Sequence, residues 1–364
     1  MKIHEITKEL EKLAPLTYAE GFDNVGLLVG DPNAKVSKIL VTLDTLETVV
    51  DEAVEKKANL IVSFHPIIFS GLKKLTRKSY VERVVQKAIK NDINIYAIHT
   101  ALDNSQLGVN HRICRQLNLK NTEILIPQKD TLRHLVTYVP VENAESVRKA
   151  LFEAGAGFIG KYDNCSFNLV GTGTYRPNKD ANPYRGEIGK TEYAKEERIS
   201  IVFNKHLESG IFRALRNSHP YEEIAYELFR LENTHQNIGM GMVGELENEM
   251  GEREFLDYLK SQMQTKVIRH SELLNKNVRK VAVLGGSGSF AISNAKHSGA
   301  DVFITADLKY HDFFQAENQI LLADIGHYES EQFTKDLLTA YLSEKFTNFA
   351  VLKSEIDTNP VHYF

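Results

Sequence analysis

Histidine and carboxylate side chains recur where short apolar runs of the sequence end. His65, His99 and His327 each follow such a run, and Asp103 lies four residues after His99. Open α/β sheets bind ligands at the carboxyl ends of their strands, so these side chains are expected to meet at one sheet edge. A set of nitrogen and oxygen ligands without cysteine suits zinc, manganese or iron. The pattern therefore predicts a divalent-metal site.

Local spacing refines this prediction. His327 and Glu331 are four residues apart at the start of a predicted helix, so they share a face and could hold one ion or bridge two. Glu329 is the rival carboxylate, but it points to a different face. The segment from His99 to Asp103 is expected to be a loop that holds one ligand and one orienting group. Taken singly, each residue could instead cap a helix, make a turn or lie on a solvated face.

The elements that must position these residues follow an α/β pattern. Over residues 1–125, apolar strands alternate with helical patterns, which predicts a parallel sheet covered by helices. Residues 126–233 show the order strand, helix, strand, strand, helix, strand, which is typical of a ferredoxin-like fold. Residues 234–364 return to α/β alternation. We therefore predict a split α/β core, 1–125 and 234–364, with an inserted ferredoxin-like α+β domain.

Composition excludes several classes of function. The chain has 364 residues, a formal net charge of −4 and 42% hydrophobic residues, so it can bury a core but lacks the basic excess of a nucleic-acid binder. Its two cysteines, Cys114 and Cys165, form no disulfide framework or thiolate zinc site, which favours a cytoplasmic protein. The N-terminus does not resemble a signal peptide, and no apolar run is long enough to predict a membrane span.

A glycine-rich segment suggests a different chemistry. Residues 286–291 fit the pattern G-x-G-x-x-A after a predicted strand, and Asp307 follows at a distance suited to a ribose contact. The alternative hypothesis is therefore a dinucleotide site formed by Gly286, Gly288 and Asp307. A tight strand–helix turn would give the same pattern. No P-loop lysine follows, which excludes a Walker-type NTPase.

Several segments spread over the whole chain occur together in one family. They are FDNVGLLVG (22–30), SFHPIIF (63–69), HTALD (99–103), HPYEEIAY (219–226), GGSG (285–288), TADLKYHD (305–312) and HYESE (327–331). With them the chain resembles the Nif-three-like dinuclear metal-centre proteins, whose bacterial members are labelled GTP cyclohydrolase 1 type 2 homologues. The resemblance implies a pair of divalent ions in a cleft of the split core. From the ligand set itself we expect one or two ions per chain, with zinc as the first expectation and manganese or iron as alternatives.

The resemblance also implies a role for individual residues, with His65, Asp103, His327 and Glu331 as metal ligands and His99 as a neighbouring group that is not a ligand. We expect His99 to be the catalytic group for proton transfer, because an imidazole can gain and lose a proton near neutral pH. One position departs from the family pattern, which has two consecutive histidines before the proline. Here the first of them is Phe64, and a phenyl ring offers a cation no nitrogen. We therefore expect a strong site formed by His65, Asp103 and Glu331, and a second site that is weak or vacant.

These implications leave two functional classes open. The first is a metal-dependent hydrolase of a nucleotide-like substrate, in which the ion activates water and, for GTP, water attack opens the imidazole ring of the purine. The alternative is a non-catalytic regulatory protein that binds a metal or metabolite, which the incomplete ligand set favours. The resemblance further implies a homohexamer. Neither a membrane nor a nucleic-acid partner is expected.

Overall fold

The computed structural model describes all residues, 1–364, and they form two compact units. The core unit comprises Met1–Pro127 and Gln236–Phe364, and the inserted unit comprises Gln128–His235. Chain segments on both sides of the inserted unit are thus needed to complete the core unit. No helix in the protein combines the length and the apolar character that crossing a membrane requires.

The first segment of the core unit contains α1 (Ile3–Leu13), β1 (Gly26–Val29), β2 (Ile39–Thr42), α2 (Glu47–Glu55), β3 (Leu60–Ser63), α3 (Tyr80–Lys90), β4 (Asn94–Ala97), α4 (His99–Asp103), α5 (Val109–Gln116) and β5 (Lys120–Pro127). The inserted unit contains β6 (Leu132–Pro140), α6 (Ala144–Glu153), β7 (Phe167–Tyr175), β8 (Glu192–Asn204), α7 (Glu208–Ser218) and β9 (Tyr226–Arg230). The last segment of the core unit contains β10 (Gly239–Gly251), α8 (Glu252–Gln262), β11 (Arg269–His270), β12 (Asn277–Ser287), α9 (Ile292–His297), β13 (Val302–Ala306), β14 (Leu321–Asp324), α10 (His327–Glu331), α11 (Thr334–Lys345) and β15 (Val351–Lys353).

The core unit contains two sheets, so the expectation that all candidate residues share one sheet edge is wrong. The first sheet has the strand order β1-β4-β3-β2-β15, and the second has the order β11-β14-β13-β12-β10-β5. Strands β2, β3 and β4 run parallel, as do β12, β13 and β14. The two segments of the core unit also exchange strands. β15, from the last segment, pairs with β2 in the first sheet, and β5, from the first segment, pairs with β10 in the second sheet.

The parallel strands form because their sequences are continuously apolar, which suits strands covered on both faces. All four residues of β2, β3, β4 and β14 are buried. One hydrophobic cluster joins the two sheets, with Val62 and Phe64 from the first and Val283 and Ile304 from the second. The polar residues that follow β3 and β14 are thereby attached to the rigid interior of the core unit.

The inserted unit is a four-stranded antiparallel sheet with two helices. Its strand order is β7-β8-β6-β9, and its chain order is β-α-β-β-α-β. Apolar residues of α6 and α7, such as Leu151 and Leu215, pack with those of the sheet, such as Leu135 and Ile201. A polar segment of residues 176–191 connects the neighbouring strands β7 and β8.

Candidate metal centre

Three side chains of the core unit direct ligand atoms toward one point. The ligand atoms of His65, His327 and Glu331 all lie within 4.8 Å of one another. Glu331 Oε2 is 3.2 Å from His65 Nε2 and 3.2 Å from His327 Nε2, yet this buried oxygen accepts a hydrogen bond from neither ring. A buried acceptor without a partner is costly, whereas a shared cation would satisfy it. The donor set and its geometry therefore fit a divalent metal ion.

The opposite nitrogen of each imidazole ring is held by a carboxylate. His65 Nδ1 lies 2.9 Å from Asp44 Oδ1, and His327 Nδ1 lies 2.7 Å from Asp307 Oδ2. Such contacts place the proton on Nδ1 and direct Nε2 toward a metal. Sequence reasoning missed this role of Asp44, although Asp44 follows β2 as His65 follows β3. Asp307, which the dinucleotide hypothesis assigns to a ribose contact, instead orients His327.

Local structure explains how α10 supplies two of the three groups. Gly326, at the N-terminal end of α10, has φ = 92°, which lets the chain turn sharply out of β14 into the helix. His327 and Glu331 then lie one turn apart on the same side of the helix. Glu329 is directed elsewhere, since its Oε1 accepts a hydrogen bond of 3.2 Å from Asn359.

The glycine-rich segment begins in the last residues of β12 and leads through Gly288 and a short 3-10 turn into α9. Four steps along β12, from Val283 to Ser287, span only two steps along β13, which makes a β-bulge. Within it, Gly286 has φ = 69°, and a Cβ atom there would lie 2.4 Å from Glu331 Oε1. The Gly286 amide donates to Ser330 Oγ over 2.9 Å. The glycine thus makes room for the buried carboxylate of Glu331.

His99 and Asp103 lie beside the three convergent groups. They begin and end the short helix α4, so the expected loop is wrong; local i,i+4 hydrogen bonding suffices to wind these five residues into a turn. The His99 ring centroid is 5.1 Å from that of His65, and its Nδ1 lies 2.9 Å from Asp23 Oδ1. Asp103 is buried, and its Oδ1 has no hydrogen-bond partner. Burial, followed by the charge of Glu331, raises the pKa of Asp103 well above its usual range.

Phe64 occupies the position of the missing family histidine. Its side chain is fully buried, and its ring centroid lies 4.8 Å from that of His65 and 5.5 Å from that of His99. The phenyl ring therefore packs in the hydrophobic core directly behind two imidazoles. At this position the chain supplies packing in place of a ligand atom.

A cavity of about 540 Å³ opens beside His65 and His327. Its lining is rich in carboxylates and includes one guanidinium group and residues near the C-terminus: Asp44, Asp307, Asp324, Glu329, Arg269, Asn359 and Tyr363. The C-terminal residues carried no recognisable signal in the sequence, because only the tertiary structure brings them to this cavity. The volume is suited to a small-molecule ligand.

The charges of the site strongly shift its titration. Burial alone would lower the pKa of His65, but the Asp44 and Glu331 carboxylates raise it to about 10. Burial likewise lowers the pKa of His327, but the Asp307 and Glu331 carboxylates outweigh this effect and raise the pKa to about 11. Burial raises the pKa of Glu331, but the two histidines outweigh this effect and lower the pKa to about 2. In the metal-free protein, protons therefore occupy imidazole sites that a metal would need.

Metal affinity is accordingly expected to rise with pH. Below pH 10 the imidazoles of His65 and His327 must lose protons to bind an ion, so apparent affinity should increase by up to about tenfold per pH unit for each proton displaced. Calorimetric titration with Mn²⁺ between pH 6 and 8, in buffers of different ionisation enthalpy, measures both affinity and proton release. Affinity independent of pH without proton release would contradict this expectation.

Comparison with known proteins identifies the family. The sequence profile of the family described as Duf34/NIF3 (NGG1p interacting factor 3) matches residues 1–360. The chain belongs to the NIF3 family. A Bacillus subtilis relative named "GTP cyclohydrolase 1 type 2 homolog" is 40% identical over 362 residues, which cover 98% of this chain and 97% of that protein. A Halalkalibacterium halodurans relative of the same name is 37% identical and covers 96% and 95%.

Solved structures of bacterial proteins share this fold over the full length. A Bacillus cereus protein related to NIF3 superimposes with a TM-score of 0.87 at 37% identity, covering 100% of this chain and 99% of that chain. A Staphylococcus aureus protein superimposes with a TM-score of 0.80 at 32% identity and the same coverage. The Nif-three-like α/β fold predicted from the sequence is therefore confirmed.

Proposed function

We propose that this NIF3-family protein is a divalent-metal-dependent hydrolase that acts on a nucleotide-like substrate. The observation that carries the proposal is the position of Glu331 Oε2, a buried oxygen without a hydrogen bond that lies 3.2 Å from two imidazole nitrogens. His65, His327 and Glu331 would hold the ion, with Asp103 as a further carboxylate ligand. A bound divalent ion supplies Lewis acidity, which activates water and polarises substrate oxygens. Zinc is the first candidate, and manganese and iron are the alternatives.

The surrounding residues have distinct roles in the proposed reaction. Asp44 and Asp307 keep the two ligand rings in register through their Nδ1 contacts. His99 would transfer the proton, because its ring lies next to that of His65 and its Nδ1 is fixed by Asp23. Arg269 lines the cavity with its side chain half exposed. Its Nη2 is held by Asp324 and the Leu308 carbonyl, which leaves the other N–H groups of the guanidinium to approach a substrate phosphate.

The relatives' name suggests the first substrate to test. We expect the protein loaded with Mn²⁺ or Zn²⁺ to consume GTP, and we expect the Glu331→Gln variant to lose this turnover. Chromatography of the nucleotide measures the consumption. If a second ion is required, Phe64→His should increase turnover by completing the ligand set. Metal content measured by mass spectrometry on protein purified without chelator must accompany the assay. Two bound ions without turnover of any nucleotide would contradict a hydrolase.

A regulatory binding protein is the second candidate function, and Phe64 is the specific observation that favours it. The phenyl ring is integrated into the core, so the chain has exchanged one ligand position for packing. This candidate predicts at most one equivalent of metal and tight ligand binding without product. Absence of any gain from Phe64→His, with one ion bound in both proteins, would support it over the two-metal hydrolase.

We further propose that the protein assembles as a homohexamer, as the family resemblance implies. The inserted unit supports association, because its sheet exposes apolar side chains such as Phe167, Leu169 and Phe229. Light scattering coupled to size-exclusion chromatography is expected to give six times the 41.2 kDa chain mass. A mass equal to one chain at micromolar concentration would contradict the proposal.

A further inference from the structure

The inserted unit contains a separate cavity of about 470 Å³ with aromatic walls. The rings that line it belong to Tyr138, Tyr175, Tyr184 and Tyr221. Tyr221 is central among them, since its ring centroid lies 5.8 Å from that of Tyr175 and 6.1 Å from that of Tyr184. The cavity is therefore partly enclosed by tyrosine rings held close to one another.

A buried carboxylate also lines this cavity. Glu196 is only 8% exposed, and its Oε1 accepts a hydrogen bond of 2.8 Å from the Tyr221 hydroxyl. The next residue on β8, Glu197, is paired with Arg148, whereas Glu196 has no ion-pair partner. Buried charges are normally paired, because loss of water is costly. No cationic side chain thus forms an ion pair with Glu196.

The local structure makes specific room for this carboxylate. Gly173 on β7 lies so close that a Cβ atom there would be 2.0 Å from Glu196 Oε2. Tyr221 is fixed from the other side by His219, which accepts a 3.1 Å hydrogen bond from the Tyr221 amide at Nδ1 and contacts the Tyr138 carbonyl at 3.0 Å through Nε2. The HPYEEIAY segment thereby holds the Tyr221 hydroxyl on Glu196. Burial and the Glu196 charge raise the pKa of Tyr221, so this hydroxyl remains a donor.

The charges around the cavity are mainly negative. Three carboxylates line it, from Glu196, Glu222 and Glu223, against the single guanidinium of Arg176. Glu222 also accepts a 2.8 Å hydrogen bond from the Asn182 amide, which ties the segment of residues 176–191 to the cavity wall. An anionic ligand such as a nucleotide would be repelled here, whereas a cation would be attracted.

We propose that this cavity binds a small organic cation, a primary or quaternary ammonium compound, between the tyrosine rings and above Glu196. Aromatic faces attract ammonium groups, and this attraction is strongest where water is excluded. The carboxylate would neutralise the charge of the ligand, and the ligand would supply the ion-pair partner that Glu196 lacks. The volume lies within the range of small-molecule sites. This site is independent of the proposed metal chemistry.

Choline and its neutral isostere 3,3-dimethyl-1-butanol form a matched pair of probes, and n-butylamine tests a primary ammonium group. With the full chain, we expect choline or n-butylamine to bind at least tenfold more tightly than the neutral alcohol, measured by calorimetry or by ligand-observed NMR. Equal affinity for choline, n-butylamine and the alcohol would overturn the proposal. Binding of guanosine that depends on Glu196, without binding of either amine, would also overturn it.

Variants distinguish this cavity from adventitious binding. Glu196→Gln is expected to weaken binding of the ammonium probe at least tenfold, while Glu153→Gln, the same change on an exposed part of α6, should leave it unchanged. Tyr184→Leu alters a half-exposed wall residue and should weaken binding even if Glu196→Gln disturbs folding. Circular dichroism checks that each variant is folded. Unchanged affinity in folded Glu196→Gln and Tyr184→Leu proteins would overturn the assignment.

Discussion

Glu331→Gln is expected to reduce the affinity for divalent metal by at least about 100-fold, or nearly 3 kcal/mol of binding free energy. Glutamine keeps the size of the side chain but removes the negative charge at the point where two imidazole nitrogens converge, 3.2 Å from each. A neutral amide is a poor ligand for zinc or manganese compared with a carboxylate. The measurement is a calorimetric titration of metal-free protein with Mn²⁺, supported by metal content after dialysis.

Glu329→Gln is the matched control for this change. Glu329 lies two residues away on the same helix and is also buried, but its carboxylate contacts Asn359 and not the two histidines. We expect it to retain metal affinity within a few-fold of the original protein. Equal losses in the two variants would mean that the general negative charge of the cavity, and not coordination by Glu331, attracts the ion.

Gly286→Ala is expected to eliminate metal binding without removing any ligand atom. The added Cβ would lie 2.4 Å from Glu331 Oε1, so the carboxylate must leave its position between the two histidines. The backbone at residue 286 has φ = 69°, so alanine also incurs a conformational cost of about 1–2 kcal/mol. The experiment combines metal titration with the free energy of unfolding from denaturant curves.

Gly299→Ala separates the steric effect on Glu331 from the conformational cost at a residue with positive φ. Gly299 lies in the same unit and has φ = 74°, but a Cβ atom there would meet nothing within 4 Å. This variant should lose a similar backbone contribution to stability while it keeps full metal affinity. If Gly286→Ala binds metal as well as Gly299→Ala does, Glu331 is not the ligand that the bulge of β12 makes room for.

Most of the local structure at the site followed from short-range sequence patterns. The buried strand β3 was evident from its apolar run, and His65 from its place directly after that run. The four-residue spacing of His327 and Glu331 placed both on one helix face, because α-helical geometry depends only on neighbouring residues. The same short-range logic set Glu329 apart. The prediction of a loop for His99 to Asp103 was wrong, because the pattern of five residues is too short to distinguish a helical turn from a loop.

The glycine-rich segment shows why a motif can mislead. Its residues match a dinucleotide-binding pattern, and it leads from a strand through a turn into a helix, as that pattern requires. Here Gly288 lies between β12 and the turn into α9, but Gly286 lies inside β12 and makes room for Glu331, which comes from a helix more than 40 residues later in the chain. Position 286 does require glycine, but the sequence alone does not show which side chain approaches the backbone there.

The sequence alone determined the α/β class, the absence of thiolate ligands, and the histidines and carboxylate from which a metal site can be built. Tertiary structure decided that the strands divide into two sheets, that β5 and β15 are exchanged between them, and that His65 meets His327 and Glu331. It also decided that Asp44 and Asp307 orient the rings and that the C-terminal residues line the cavity. The physical reason is that strand pairing and side-chain convergence depend on contacts between distant residues, whereas periodicity and helical spacing record only local geometry.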